Sequence, residues 1–180
     1  MLVEGKGVKN DNEFQNHVEA YYYALKAANT HHIPQAEHLV GIMYEYGIGT
    51  SQNFEQALKY YRRGAEQQYL ESVYHLGLMY LYGRGTAQQY SRALSLFEFG
   101  CHSSHAQCCH YLGIMKTYGY GTSIDYEEAA GWFERSASLD DYRISEESKK
   151  YAKVLTDLIK EAKEYNENVV NQFVERLDVN

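Results

Sequence analysis

From Ala36 the small and apolar residues fall at helical spacing: Ala36, Leu39, Val40, Met43 and Tyr44. This predicts a helix over about 35–46, called helix A. The stretch Tyr46-Gly47-Ile48-Gly49-Thr50 closes it. Gly47 can take the left-handed cap conformation, and Gly49 allows the chain to reverse. A second series, Ala57, Tyr60, Tyr61 and Ala65, predicts helix B over about 53–67. No sustained alternation of apolar and polar positions, the mark of a half-buried strand, interrupts this reading. Two antiparallel helices of this length cannot bury their apolar faces alone, so the pair needs neighbours.

The sequence supplies them every 36 residues. Gly41, Gly77 and Gly113 are in register, as are Met43, Met79 and Met115, and Tyr46, Tyr82 and Tyr118. So are Gly47, Gly83 and Gly119, then Gly49, Gly85 and Gly121, then Thr50, Thr86 and Thr122. Helix B repeats too: Phe54, Tyr90 and Tyr126; Ala57, Ala93 and Ala129; the pairs Tyr60-Tyr61, Leu96-Phe97 and Trp132-Phe133; and Ala65, Cys101 and Ala137. The glycine inside helix A has no side chain and admits a close neighbour. Stacking such pairs buries a continuous core, which is the logic of a helical repeat array.

The pattern of these residues resembles the Sel-one-like repeat (SLR), a relative of the tetratricopeptide repeat. Three copies cover 34–142, with departures: Lys116 stands where Tyr44 and Tyr80 stand, and Ala87, Gln88 and Gln89 leave the second loop without an acidic residue. The resemblance implies an all-α, right-handed α-solenoid of helix-turn-helix repeats with a helical C-terminal cap. The expected divisions are a truncated leading repeat (1–33), units at 34–69, 70–105 and 106–142, and a cap at 143–180. In the leading repeat Met1, Gly5 and Gly7 match Met43, Gly47 and Gly49, and Ala20 and Ala28 match Ala57 and Ala65, with about five extra residues between the two parts. That register predicts a chain starting inside a repeat, either as a piece of a longer array or with its open end covered by a partner. After 142 the repeat fades. Tyr151, Leu155, Leu158, Ala162, Tyr165 and Val169 form an apolar stripe on one long helix or two, with a candidate break at Asn166-Glu167-Asn168. This segment (146–178) is expected to seal the last repeat, with contact to a partner or to a second copy as the alternative.

Composition narrows the function. A single proline in 180 residues, with many Ala, Leu, Glu, Gln and Lys, favours helix, and 19 tyrosines are unusual. The net charge is −7 and no Lys/Arg cluster occurs, which argues against nucleic acid as partner. No apolar run approaches the roughly 18 residues of a membrane span, so no membrane insertion is expected. The start Met1–Val8 lacks the basic leader and apolar stretch of a signal peptide, which leaves the compartment open.

All three cysteines and three histidines crowd into Cys-His-Ser-Ser-His-Ala-Gln-Cys-Cys-His, 101–110. On one continuous helix Cys101, His105 and Cys108 would share a face, as zinc ligands do. The register argues otherwise. Cys101 takes the place of Ala65, near the end of a helix B, and Cys108 that of Ala36, near the start of a helix A. A small buried residue is wanted at both, and cysteine packs well there. Cysteine-rich relatives of the SLR imply a further reading, a disulfide across this turn between Cys101 and Cys109, with Cys108 as competing partner. No metal, cofactor or catalytic set is expected. The Gly-x-Gly loops lack the strand and third glycine of a nucleotide fingerprint, and no Ser-His-Asp or Cys-His-Asn set can be placed.

Protein–protein interaction, as scaffold or adaptor, is the expected function, with a redox- or metal-linked assembly factor using Cys101, Cys108 and Cys109 as the alternative. In tetratricopeptide-like stacks helix A lines a concave groove that takes a protein or peptide. The resemblance implies three ladders there, at three before, one after and four after the glycine. They read His38, Tyr74, His110; Ile42, Leu78, Ile114; and Glu45, Leu81, Thr117. The middle ladder is wholly apolar and suits an extended or helical peptide, unless it packs against neighbouring helices instead.

Overall fold

The computed structural model describes the backbone of residues 8–139 and 142–177 and the side chains of 14–139 and 144–165. These residues form eight helices and no strand: α1 (Val8–His31), α2 (Pro34–Tyr46), α3 (Phe54–Glu66), α4 (Leu70–Tyr82), α5 (Tyr90–His102), α6 (Ala106–Tyr118), α7 (Tyr126–Ser138) and α8 (Tyr142–Leu177). The A helices are α2, α4 and α6, and the B helices α3, α5 and α7. Their bounds lie within about a residue of those the periodicity predicts.

Local chemistry sets the ends. Asn53 and Asp125 cap α3 and α7, accepting from the backbone N–H of Gln56 and Glu128 at 3.0 and 2.8 Å. Gly47, Gly83 and Gly119 end the A helices with φ of 67–70° and return their N–H to the carbonyls of Met43, Met79 and Met115. The second loop glycine has another task. A Cβ on Gly49 or Gly85 would run into the backbone carbonyl of His17 or Phe54, so the loop rests directly on the preceding B helix. The turns from B to A use no glycine. His32, Gln68 and Ser104, spaced 36 apart, carry φ of 51°, 60° and 64°.

The chain divides into two compact units, the first ending at Leu96 and the second beginning at Phe97, inside α5. In the first, Ala24, Ala28, Val40, Met43 and Tyr60 form a buried cluster joined by Tyr21, Leu25 and Tyr44. The interior glycine explains the closeness of α2 and α3: a Cβ on Gly41 would lie 2.5 Å from the Tyr61 ring. The second unit repeats the device, with the Phe133 ring 2.9 Å from a Cβ on Gly113. Its core joins Ala129, Ala130 and Phe133 of α7 to Ala152 and Leu155 of α8.

The two terminal helices add detail. The extra residues of the leading repeat lengthen its B helix, so α1 has 24 residues against 13 in α3. Met1, Gly5 and Gly7 lie outside the described residues. Of the two readings of the C-terminal segment, one long helix or two, the structure has the first: α8 runs through the candidate break at 166–168 to Leu177. No described helix is long and apolar enough to cross a membrane.

Candidate functional site

The A helices place the nine candidate residues as the register requires, but their surroundings sort them into two groups. In the first unit α2 carries His38, Ile42 and Glu45 and α4 carries Tyr74, Leu78 and Leu81, and the two helices meet at His75, which touches both His38 and Glu45. His110, Ile114 and Thr117 of α6 belong to the second unit. His38, Ile42, Tyr74, Leu78, Ile114 and Thr117 are partly exposed, whereas Glu45, Leu81 and His110 are buried. These last three therefore differ from the expected groove lining, and each of the two polar ones has partners inside.

Glu45 is the clearest case. Its carboxylate is 4% exposed, accepts from the Tyr61 hydroxyl at 2.6 Å and pairs with Arg84 at 3.1 Å and His75 at 3.4 Å. Burial pushes its pKa up. The hydrogen bonds from His75 and Tyr61 and the charges of His75 and Arg84 outweigh that and hold it below the ordinary value. The same environment raises the Tyr61 hydroxyl, through burial first and then the Glu45 carboxylate. His38 sits at the other end of this cluster, its ring 5.1 Å from His75, 5.4 Å from Tyr69 and 5.7 Å from Tyr61. Its Nδ1 is buried with no hydrogen-bond partner among the described residues. Burial first, then His75, lowers its pKa to about 4, against an opposing pull from Glu45.

In the second unit His110 is 3% exposed. Its Nδ1 lies 2.8 Å from the Ser148 hydroxyl of α8, which donates to Ser136 at 2.9 Å, and Ser136 donates to the Ala106 carbonyl at 2.8 Å. Burial lowers the His110 pKa, with Glu147 opposing. Thr117 hydrogen-bonds back to the Gly113 carbonyl at 2.9 Å, and Ile114 rests on the α7–α8 core.

The Cys/His stretch separates into parts with separate tasks. Cys101 and Cys109 form a disulfide between the end of α5 and the start of α6, with Cα atoms 4.6 Å apart. All three cysteines are fully buried, Cys108 in the place of Ala36 and Ser72. His102 bonds the Glu98 carbonyl at 2.6 Å, and His105 caps α6 by accepting from the Cys108 N–H. No three His, Cys, Asp or Glu residues among those described are arranged to hold a metal ion.

The ladder rule passes over three exposed tyrosines. Tyr46, Tyr82 and Tyr118 stand just before the cap glycines, and all are more than half exposed, at 61%, 53% and 57%. Arg84 lies over the Tyr82 ring, and Tyr120 stacks on Tyr118. Their in-register identity was readable as part of the repeat signature. The cap needs only the glycine, and the tyrosine before it stays exposed in all three repeats.

Comparison with known proteins bears on the whole arrangement. The family model described as "Sel1 repeat" matches four times, at 1–29, 34–69, 70–105 and 106–141. The chain is similar in structure to a Sel1 repeat protein from Oxalobacter formigenes, at 29% identity and a TM-score of 0.59, over 72% of this chain and 57% of that one. It is also similar to a protective antigen of uropathogenic Escherichia coli strains that displays an SLR fold (23% identity, TM-score 0.66, 75% and 33% covered). Helicobacter pylori cysteine rich protein B is a third (19% identity, TM-score 0.57, 73% and 93% covered). The chain thus spans 57% and 33% of the length of the first two. No curated protein matches it.

Proposed function

Because this chain belongs to the Sel1 repeat family, we propose that it is a protein–protein interaction scaffold whose A helices receive a protein or peptide partner. The fold is one typically used for protein–protein interaction, and its members are generally scaffolds rather than enzymes. The observation that carries the finer reading is the middle ladder. Ile42 and Leu78 are only partly buried at one register position on α2 and α4, and Ile114, at that position on α6, rests on the α7–α8 core with part of its side chain still exposed. A core position would be closed, and a purely solvent-facing one would be polar. Tyr46, Tyr82 and Tyr118 add exposed amphipathic area on the same helices, and tyrosine gives such area at small entropic cost. Glu45, Leu81 and His110 are left out of the contact set, because they are spent inside the fold.

The test is a triple substitution, Ile42→Asp, Leu78→Asp and Ile114→Asp. Far-ultraviolet circular dichroism establishes that the variant is helical. Affinity capture with mass spectrometry then compares it with the parent chain. Loss of specifically captured proteins is expected, and unchanged capture by a folded variant refutes the reading. The alternative use of the cysteines finds no support of comparable kind. The bridge is fully buried and joins two helices, as a staple does.

A further inference from the structure

Each A helix carries a residue three positions after its glycine that faces the B helices: Tyr44, Tyr80 and Lys116. Tyr44 and Lys116 are partly buried, and Tyr80 is buried at 5% exposed. Tyr44 shares a 2.6 Å hydrogen bond with Tyr21 and stacks on Tyr60 with ring centres 5.8 Å apart. Lys116 pairs with Glu128 at 2.7 Å. At Tyr80 the register puts arginine where the others carry Gln56 and Glu128. Arg92 lies over the Tyr80 ring, its Cζ 5.5 Å from the ring centre. From α3, Arg62 donates to the Tyr80 hydroxyl at 3.1 Å. Neither guanidinium forms an ion pair among the described residues.

These two arginines open onto a groove of about 480 Å³ that also reaches Leu76, Leu96 and the hydroxyl-bearing Ser91 and Ser95. Two exposed arginines without an acidic partner among the described residues line the same groove, on a chain of net charge −7. The Tyr80 hydroxyl accepts from Arg62 and so has its own proton to give. Guanidinium forks match carboxylate geometry, and the leucines offer an apolar floor beside the charges. A free inorganic anion would have no use for that floor.

We propose that this groove binds an acidic peptide segment of a protein partner. A carboxylate would sit between Arg62 and Arg92 with the Tyr80 hydroxyl donating to it, and a neighbouring apolar side chain would lie on Leu76 and Leu96. The site lies on the B-helix side, and does not depend on the A-helix reading above.

The probe is a fluorescein-labelled peptide of alternating Glu and Leu, titrated with the full chain and followed by anisotropy. Arg62→Gln and Arg92→Gln are each expected to weaken it roughly tenfold, the effect of one charge-assisted hydrogen bond. Tyr80→Phe should weaken it less, and Lys26→Gln, on exposed α1, should leave it unchanged. The changed arginines are exposed, so Arg92→Gln should keep the parent melting temperature, and Arg62→Gln, which removes a donor to the Tyr80 hydroxyl, should lower it slightly without loss of helix. Three results each overturn the proposal: unchanged binding by the double arginine variant, equal binding of a control peptide of alternating Gln and Leu, and displacement of the peptide by equimolar inorganic phosphate. A phosphoserine version that alone binds would equally refute the carboxylate reading. The Ile42/Leu78/Ile114 triple variant should bind this peptide normally, which separates the two surfaces.

Discussion

His38 and His110 hold the same register position in two repeats, and their company differs. His38 lies in a layer of polar aromatics, where Tyr61 and His75 meet the buried Glu45. His110 lies in a drier layer, against Phe133 and Tyr151, with a serine chain taking its one polar demand. The cause is one atom. Tyr61 has a hydroxyl that, once buried, needs an acceptor, and Glu45 provides it. Phe133 has none, and the residue at the place of Glu45 is Thr117, which satisfies itself on its own helix. In the middle repeat the same two places read Leu81 and Phe97. A carboxylate four residues after the glycine thus goes with the hydroxyl on helix B. One backbone plan carries a networked core in the first unit and an apolar, disulfide-stapled one in the second.

The largest effect should come from the apolar layer. Phe133→Ala removes a fully buried ring against Gly113 and is expected to cost about 3–5 kcal/mol, read by urea unfolding. Next comes the staple. Opening the bridge, which closes a loop with a sequence separation of 8, should cost about 2–3 kcal/mol. Melting with and without reductant, beside a Cys101→Ala/Cys109→Ala variant, checks it. An unchanged melting point would mean that the packing around the cysteines suffices.

The polar layer should respond more mildly and in a coupled way. Tyr61→Phe deprives the buried Glu45 of its shortest hydrogen bond and should cost about 1–2 kcal/mol. Adding Glu45→Leu imports the middle repeat's pair and should recover part of that loss. A strictly additive double-mutant cycle would break the explanation.

The smallest effect is in acid. His38 titrates near pH 4 when folded, below its ordinary value of 6.5. As pH falls from about 6.5 to about 4, the unfolded chain takes up a proton that the folded chain refuses, so stability declines across that window. His38→Phe should flatten the decline in melting temperature between pH 7 and 5 while leaving the pH 7 value close to the parent's.

Much of this was legible in advance. The 36-residue period gave the helix ends, the cap glycines and the role of Gly41, because all follow from local sequence. The faces were harder. The ladder rule places a residue by its own helix alone, whereas the burial of His110 depends on α8 and that of Glu45 on Tyr61. Comparing Tyr61 with Phe97 and Phe133 would have exposed Glu45 as an acceptor. Nothing local in 101–110 marks Ser148 as the partner of His110, since the two are 38 residues apart.

The left-handed turn residues His32, Gln68 and Ser104 have a consequence for how such a chain melts. In a linear array stability divides into terms within repeats and terms between neighbours, and these residues stand in the joints. A non-glycine there carries a strain of roughly 1 kcal/mol. Replacing Gln68 by glycine would relax one joint, while a β-branched residue would load it. Either change acts on cooperativity, the number of repeats that unfold together, before it acts on helix content.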